Sequence, residues 1–240
     1  MRMKNVLLPL SGIHRLSFFL AMEEYVAGRT DEDAFFVWQS DPTVIIGRNQ
    51  DLEAEVNVGY CREHDIEIVR RRSGGGCVYS DRGNIMLSYV SRRGKVSDIF
   101  EGFLEKFTSC LSALGLPAVK SGRNDILVDG RKVSGNAFQQ LPDRSIVHGT
   151  LLYSVDFDAL ETAIRPPVEK LLRHGVPSVR QRVRNIRDFA ISDGIRHEGL
   201  DSVESMMDYI VRYFCDGEIR LTEDDVREIE RIEKEYITID

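Results

Sequence analysis

The sequence predicts an α+β fold, a mixed, largely antiparallel sheet flanked by helices, and three observations carry that expectation. β-Rich runs come in hairpin-like pairs, helical patterns are inserted between those pairs, and Asp129-Gly130 separates two strand-like runs as a strong hairpin turn. Neither G-x-G-x-x-G nor G-x-x-x-x-G-K-[ST] occurs, which disfavours a dinucleotide fold and a P-loop.

The elements follow in order. A short strand is expected over 6–9. A helix is expected over 15–27, where Leu16, Phe19, Leu20, Met22 and Tyr25 recur at helical spacing. Runs 34–38 and 43–46, with Asp41-Pro42 between them, read as a hairpin-like pair. A weak helix over 56–63 precedes a strand over 66–70 that leads into a glycine cluster. Strands 77–79 and 85–90 are joined by a turn at Asp81-Arg82-Gly83-Asn84. The clearest helix spans 97–114, with Ile99, Phe100, Phe103, Leu104, Phe107, Leu111 and Leu114 on one face. The Asp129-Gly130 hairpin joins 125–128 to 133–138, and a long strand covers 146–155. Helices over 202–214 and 224–236 close the chain, with a short strand at 218–221 before the second.

The 240 residues, 42% hydrophobic and 30% charged, suffice for one sizeable core, and no break in composition divides them. A net charge of −7 gives no general attraction to nucleic acid or anionic membranes. Cys61, Cys77, Cys110 and Cys215 form no C-x-x-C pair, so a zinc or redox motif is not expected and a reducing compartment is. The opening MRMKNVLLPL is too short an apolar run for a signal peptide, and no run approaches the roughly 20 residues of a membrane span. The expected location is the cytoplasm.

Two segments carry chemistry. In Arg70-Arg71-Arg72-Ser73-Gly74-Gly75-Gly76-Cys77-Val78-Tyr79, three consecutive glycines lie between strand-like runs. Their entropic cost makes sense where backbone must approach a ligand closely. Loop N–H groups bind phosphate or carboxylate oxygens, and the arginines bring permanent charge. The same composition also describes a flexible hairpin loop with solvated arginines.

In Asp129-Gly130-Arg131-Lys132-Val133-Ser134-Gly135, Lys132 follows a tight turn and opens a strand. There a compact cation can enter a cleft and neutralise charge on a transferring phosphoryl or acyl phosphate. Asp125, on the opposing strand, can hold a hard cation such as Mg²⁺. A surface hairpin with a solvated lysine fits the same residues. His148 reads alone as a hydrogen-bonded core residue.

Taken in order, these segments resemble the lipoate-protein ligases, within the superfamily that also holds biotin-protein ligases and lipoyl/octanoyl transferases. The matching stretches are Arg70-Arg71-x-Ser73-Gly74-Gly75-Gly76-x-Val78-Tyr79, Asp81-x-Gly83-Asn84, Gly122-Arg123-Asn124-Asp125, Gly130-x-Lys132-Val133-Ser134-Gly135 and His148-Gly149-Thr150. Flanking matches are Glu23-Glu24-Tyr25, Trp38, the stretch from Asp41 to Gln50, and Ser178-Val179-Arg180-x-Arg182-Val183.

The resemblance implies a class II aminoacyl-tRNA synthetase/biotin synthetase-like fold and a single catalytic domain over 1–240, without the smaller C-terminal accessory domain of many relatives. It implies ATP-dependent activation of lipoate to lipoyl-AMP, with Mg²⁺, and transfer to a lysine of lipoyl-domain proteins: dehydrogenase E2 subunits or the glycine cleavage H protein. Relatives lacking the accessory domain can need a separate accessory protein. By resemblance, Lys132 is the catalytic lysine at the lipoyl carbonyl and α-phosphate. Arg71, Gly76, Cys77, Val78, Tyr79, Asn84, Asp125 and Arg182 are nucleotide contacts, with Asp125 the Mg²⁺ contact. Arg70, Ser73, Gly74, Gly75, Gly76, Gly135 and His148 line the lipoate site. Residues 165–184, including Arg180, Arg182 and Arg184, resemble a loop that closes over the adenylate.

This chain has Ser80-Asp81 where the family usually has His-Asp, and Cys77 in place of a common alanine. Three other activities remain open at this point: a thioester acyltransferase, a transferase taking a preformed adenylate, and a non-catalytic lipoate or lipoyl-domain binder. The thioester route lacks its nucleophile. Ser145 stands where such enzymes place a thiol before His-Gly, and Cys110 lies inside the long helix.

Overall fold

A computed structural model describes residues 3–9, 12, 14–91, 94–122, 124–165 and 182–236. The larger of two sheets contains β1 (Met3–Leu7), β2 (Ala34–Trp38), β6 (Asn84–Val90), β7 (Ala118–Ser121), β8 (Asp125–Val128), β9 (Arg131–Gln140), β10 (Ser145–Leu152) and β11 (Cys215–Arg220). Its order is β11-β1-β2-β6-β10-β9-β8-β7. β1 pairs parallel with β11 and β2, and the remaining pairs are antiparallel. The smaller sheet is β4 (Glu67–Arg70), β3 (Thr43–Ile46) and β5 (Val78–Ser80), with β3 central, parallel to β4 and antiparallel to β5.

Side-chain alternation sorts the large sheet into two working faces. β6 is buried throughout. Its Ile85, Leu87 and Tyr89 join Phe35, Val147 and Leu151 beneath α4 (Val96–Ala113), which contributes Phe103, Phe107 and Leu111, and α7 (Val203–Phe214), which contributes Met206, Ile210 and Phe214. On the other face, Met86, Val90, Phe36, Trp38 and Ile146 meet Phe19, Met22 and Val26 of α1 (Leu16–Arg29) and Ile229 of α8 (Glu223–Glu233). Ile45 and Val69 bring the small sheet onto this second face. Its outer side, with Val44, Ile46, Ile68 and Tyr79, packs on Leu160 of α5 (Phe157–Ala163). α8 begins with a Thr222/Asp225 capping box, which satisfies two backbone donors reciprocally.

The α+β expectation holds, but two of the strand–turn–strand runs do not form hairpins. Runs 34–38 and 43–46 are not partners: β2 lies between β1 and β6 in the large sheet, and β3 is the centre of the small one. Strands 78–80 and 84–90 likewise belong to different sheets. Both turns are corners between sheets, and a local pattern does not reveal which neighbour a strand will choose. Gly83 makes the second corner possible. A Cβ there would lie 2.2 Å from the Ser154 carbonyl oxygen, and the Gly83 carbonyl accepts from Tyr153 and Ser154 N–H. Short β7, α5, α2 (Leu52–Glu55) and α6 (Ile186–Ser192) carry too few residues for a periodic signal. The weak helix begins at Val58, as α3 (Val58–Glu63). Among the described residues no helix is long and apolar enough to cross a membrane.

Candidate functional site

The site begins with a misfit in the β8–β9 hairpin. Asp129 and Gly130 take φ of 50° and 72°, as a type I′ turn requires of both central residues. Strict alternation down β9 would place Lys132 on the face of Ser134, against the core under α4. A register shift intervenes: Ser134 faces Ile126, but Lys132 faces Leu127, leaving Val133 as the extra residue. Val133 and Ile126 are fully buried in that core, and Lys132 turns to the opposite face with Asp125 and Gly135. There its Nζ lies 2.7 Å from Asp125 Oδ1. Gly135 is required beneath it, because a Cβ would stand 2.6 Å from Nζ.

β10 pairs with β9 as far as Ser134, opposite Leu151. Beyond that point Val183 bridges Lys132 in parallel, and the Arg184 N–H donates to the Lys132 carbonyl at 3.0 Å. This strap brings Arg182 Nη2 to 2.7 Å from Asp125 Oδ2. The Asn185 side chain fixes its far end, donating to the Val155 carbonyl and accepting the Val155 N–H, both at 3.0 Å. Arg180 lies outside the described residues, as does Arg123.

The three arginines before the glycines each have a separate anchor. Arg70 donates to the carbonyls of Gly47 and Gln50 at 3.1 and 2.8 Å. Arg71, 6% exposed, donates to Ile45 and, through Nε and Nη2, to Gly74 and Gly76 carbonyls. Burial lowers its pKa to about 10, which keeps it charged at neutral pH. Arg72 pairs with Glu24 and Glu235. The bonds from Arg71 turn the Gly74 and Gly76 carbonyls toward its guanidinium. In trans peptides the following N–H groups, those of Gly75 and Cys77, point the opposite way. Gly75, at φ +102°, permits the turn. The N–H groups of Gly75 and Cys77 thus point away from the Arg71 guanidinium, an orientation suited to an anion.

Loop and lysine share a face. Ser88 pairs with His148, Met86 with Thr150, and Thr150 with Gly135, so Ser88, His148, Thr150, Gly135 and Lys132 project to one side. Ser73 Oγ, at the start of the loop, is 2.7 Å from His148 Nε2. His148 Nδ1 is 3.2 Å from Glu23 Oε2, Ser88 donates to Glu23 Oε1 at 2.5 Å, and the Trp38 indole donates to Ser88 at 2.9 Å. Glu23 and Ser88 had no assigned role in the sequence, since their partners are brought together only by sheet register. Asn84 lies on the same face, fully buried, with its Oδ1 unpartnered among the described residues. Cys77 and Tyr79 turn their side chains into the third core cluster, leaving Val78 against the second. A separate cavity of about 650 Å³, lined by Asp41, Asp81, Asp156 and Arg82 among others, contains none of these residues. Its surplus of carboxylates opposes an anionic ligand.

Residues 16–214 match the family model described as lipoyl protein ligase A/B catalytic domain. The chain belongs to this lipoyl protein ligase family. Curated relatives include lipoate–protein ligase 1 of Staphylococcus aureus, 36% identical over 219 residues, covering 89% of this chain and 65% of that protein. Lipoate-protein ligase LplJ of Bacillus subtilis is 36% identical over 226 residues, covering 90% and 66%. The chain thus spans just under two thirds of the length of these relatives. Among solved structures, a bipartite lipoate protein ligase from Thermoplasma acidophilum, described with its E2 lipoyl domain, superposes with a TM-score of 0.81. It is 25% identical, with 98% of this chain and 93% of that one covered. A lipoate-protein ligase A bound with ATP shares the fold at a TM-score of 0.80 and 24% identity, with 98% and 95% covered. The matched region contains both the glycine loop and the Lys132 hairpin.

Proposed function

We propose that this chain is the catalytic domain, over 1–240, of a lipoate-protein ligase. It activates lipoate with ATP as lipoyl-AMP and transfers the acyl group to a lysine of a lipoyl domain. The observation that carries this reading is the bulge at Val133, which turns Lys132 onto the face where the glycine loop presents its backbone donors. A carboxylate is a poor acyl donor because oxide is its leaving group, whereas a mixed anhydride with AMP releases a good one. Backbone N–H groups grip the phosphate, and Lys132 neutralises charge as it builds on the α-phosphate and acyl carbonyl. Residues 182–185 lie beside Lys132 and Asp125, where they limit the approach of water. The incoming amine is itself the nucleophile, so no thiol of the enzyme takes part. Cys110, the nearest candidate for a thioester, is fully buried and its pKa is pushed up to about 12 by desolvation.

Mg²⁺ belongs to the same proposal, carried by the nucleotide's phosphates. The described residues contain no cluster of three metal-ligating side chains. Both Asp125 oxygens lie 2.7 Å from a cation, so a metal at Asp125 shares its carboxylate with Lys132 and Arg182. The acceptors are dehydrogenase E2 subunits or the glycine cleavage H protein, with an accessory protein where activation requires one. Four free cysteines suit the cytoplasm.

The test is incubation of purified protein with ATP, Mg²⁺, lipoate and an apo lipoyl domain, with lipoate-dependent ATP–pyrophosphate exchange measured in parallel. Exchange and ATP-dependent acylation are expected. Acylation that ignores ATP and needs an acyl-carrier donor would replace the ligase by a transferase.

A further inference from the structure

Arg72 is the arginine of the glycine segment to which the resemblance assigns nothing. Its Nη1 lies 2.5 Å from Glu24 Oε2 on α1, and its Nη2 lies 2.8 Å from Glu235 Oε2 just past α8. Its guanidinium sits 4.9 Å over the Tyr236 ring. Tyr236, 8% exposed, donates its hydroxyl to Glu24 Oε1 at 2.6 Å. Burial and the Glu24 hydrogen bond both raise its pKa, so it remains a donor. Glu24 is therefore a largely buried carboxylate with one oxygen held by Arg72 and the other by Tyr236. Removing either donor leaves the other with an undercompensated anion.

Both ends of α8 are in turn fastened to α1. Ser17 donates to Glu233 at 2.5 Å, Tyr25 is hydrogen-bonded to Asp225, and Arg29 Nε lies 3.4 Å from Asp225. The next residue after Arg72 is Ser73, which opens the loop and contacts His148. We propose that Arg72 is a positioning residue that ties the anion-binding glycine loop to the end of the last helix. Through Glu24 and Tyr236, the seating of α8 then sets ligand affinity at the loop. Arg71 shapes the loop from within, and Arg72 fixes where it stands on the sheet. The ligand affected is the acyl phosphate of the ligase reading, and on that point the inference rests on that reading.

Arg72→Gln, Tyr236→Phe and the double variant provide the test. Arg72→Gln is expected to raise KM for lipoate and ATP in pyrophosphate exchange about tenfold while kcat changes less than threefold, because no reacting atom is touched. Tyr236→Phe is expected to shift KM in the same direction by less, and the double variant to match Arg72→Gln alone, since both act through Glu24. Arg72→Lys is expected to rescue only partly, as an ammonium lacks the fork that spans two carboxylates. Hydrogen exchange of the Gly74, Gly75, Gly76 and Cys77 amides, followed without ligand, is expected to accelerate in each variant. A folded Arg72→Gln protein with unchanged KM and unchanged loop exchange would overturn the proposal, as would strictly additive KM effects. If the parent protein shows no pyrophosphate exchange, the ligase reading fails. The loop amides then decide alone, and unchanged exchange in both variants would refute the brace.

Discussion

Lys132 Nζ and Asp125 Oδ1 lie 2.7 Å apart across a hairpin whose alternation would have sent the lysine into the core. A single extra residue, Val133, reverses its direction. Arg182 occupies the second oxygen of the same carboxylate. Asp125 therefore holds two cations from two chain segments on one carboxylate.

Replacing Asp125 by Asn leaves Lys132 and Arg182 close together without the shared anion. All three side chains are less than a quarter exposed, so the loss is expected to cost about 1–3 kcal/mol of stability. Activity is expected to fall through displacement of both cations. The Mg²⁺ concentration giving half-maximal exchange should stay within twofold of the parent. A strongly raised Mg²⁺ requirement would assign the metal to Asp125.

Gly135 and Gly83 have close neighbours of different kinds, and alanine should separate them. At Gly135 the new methyl clashes with the tip of Lys132, with Nζ at 2.6 Å and Cε at 2.8 Å, and Asp125 Oδ1 stands at an ordinary 3.8 Å. The lysine can move away, so Tm should change by about 2 °C or less, while kcat falls on the order of 100-fold. At Gly83 the methyl meets Ser154 backbone, with O at 2.2 Å and C at 2.4 Å, and a loss of about 1–3 kcal/mol is expected. Thermal melts and pyrophosphate exchange on both variants check the contrast, which a large Tm loss in Gly135→Ala would contradict.

Asp225 ties α8 to α1 and makes the protein acid-sensitive there. Desolvation alone would raise its pKa, but hydrogen bonds from Tyr25 and Thr222 and the charge of Arg29 outweigh burial and hold it at about 2. A carboxyl depressed on folding contributes stability above its unfolded pKa near 4, and that contribution disappears as pH falls from about 4 to about 2. With its side chain 8% exposed, the contribution is on the order of 2 kcal/mol. Urea melts of the parent and Asp225→Asn should differ at pH 7 and converge toward pH 2. A constant difference across that range would remove Asp225 from the account.

The sequence disclosed local elements better than the way they are assembled around the candidate site. The Asp129-Gly130 turn, the long helix beneath the sheet and the glycine loop were legible because each depends on local backbone preference or periodicity. Two things were not. The bulge at Val133 is hidden because Val133 and Ser134 both suit the core, and only the β8 register reveals that neither is skipped. The work of Arg70, Arg71 and Arg72 was also hidden. Adjacent arginines look like a charge patch, yet each is aimed at a separate set of carbonyls or carboxylates from distant segments. The chain from Trp38 through Ser88 and Glu23 to His148 likewise exists only once β2, β6, β10 and α1 are assembled.

The most direct measurement is a crystal structure with a hydrolysis-resistant lipoyl-adenylate analogue. The phosphate is expected about 3 Å from Lys132 Nζ and from the N–H groups that follow Gly74 and Gly76, with the acyl chain running past Ser73. An analogue bound with its phosphate away from both the loop and Lys132, over the Asp41 and Asp156 cavity for example, would contradict the shared grip on which the proposed reaction depends.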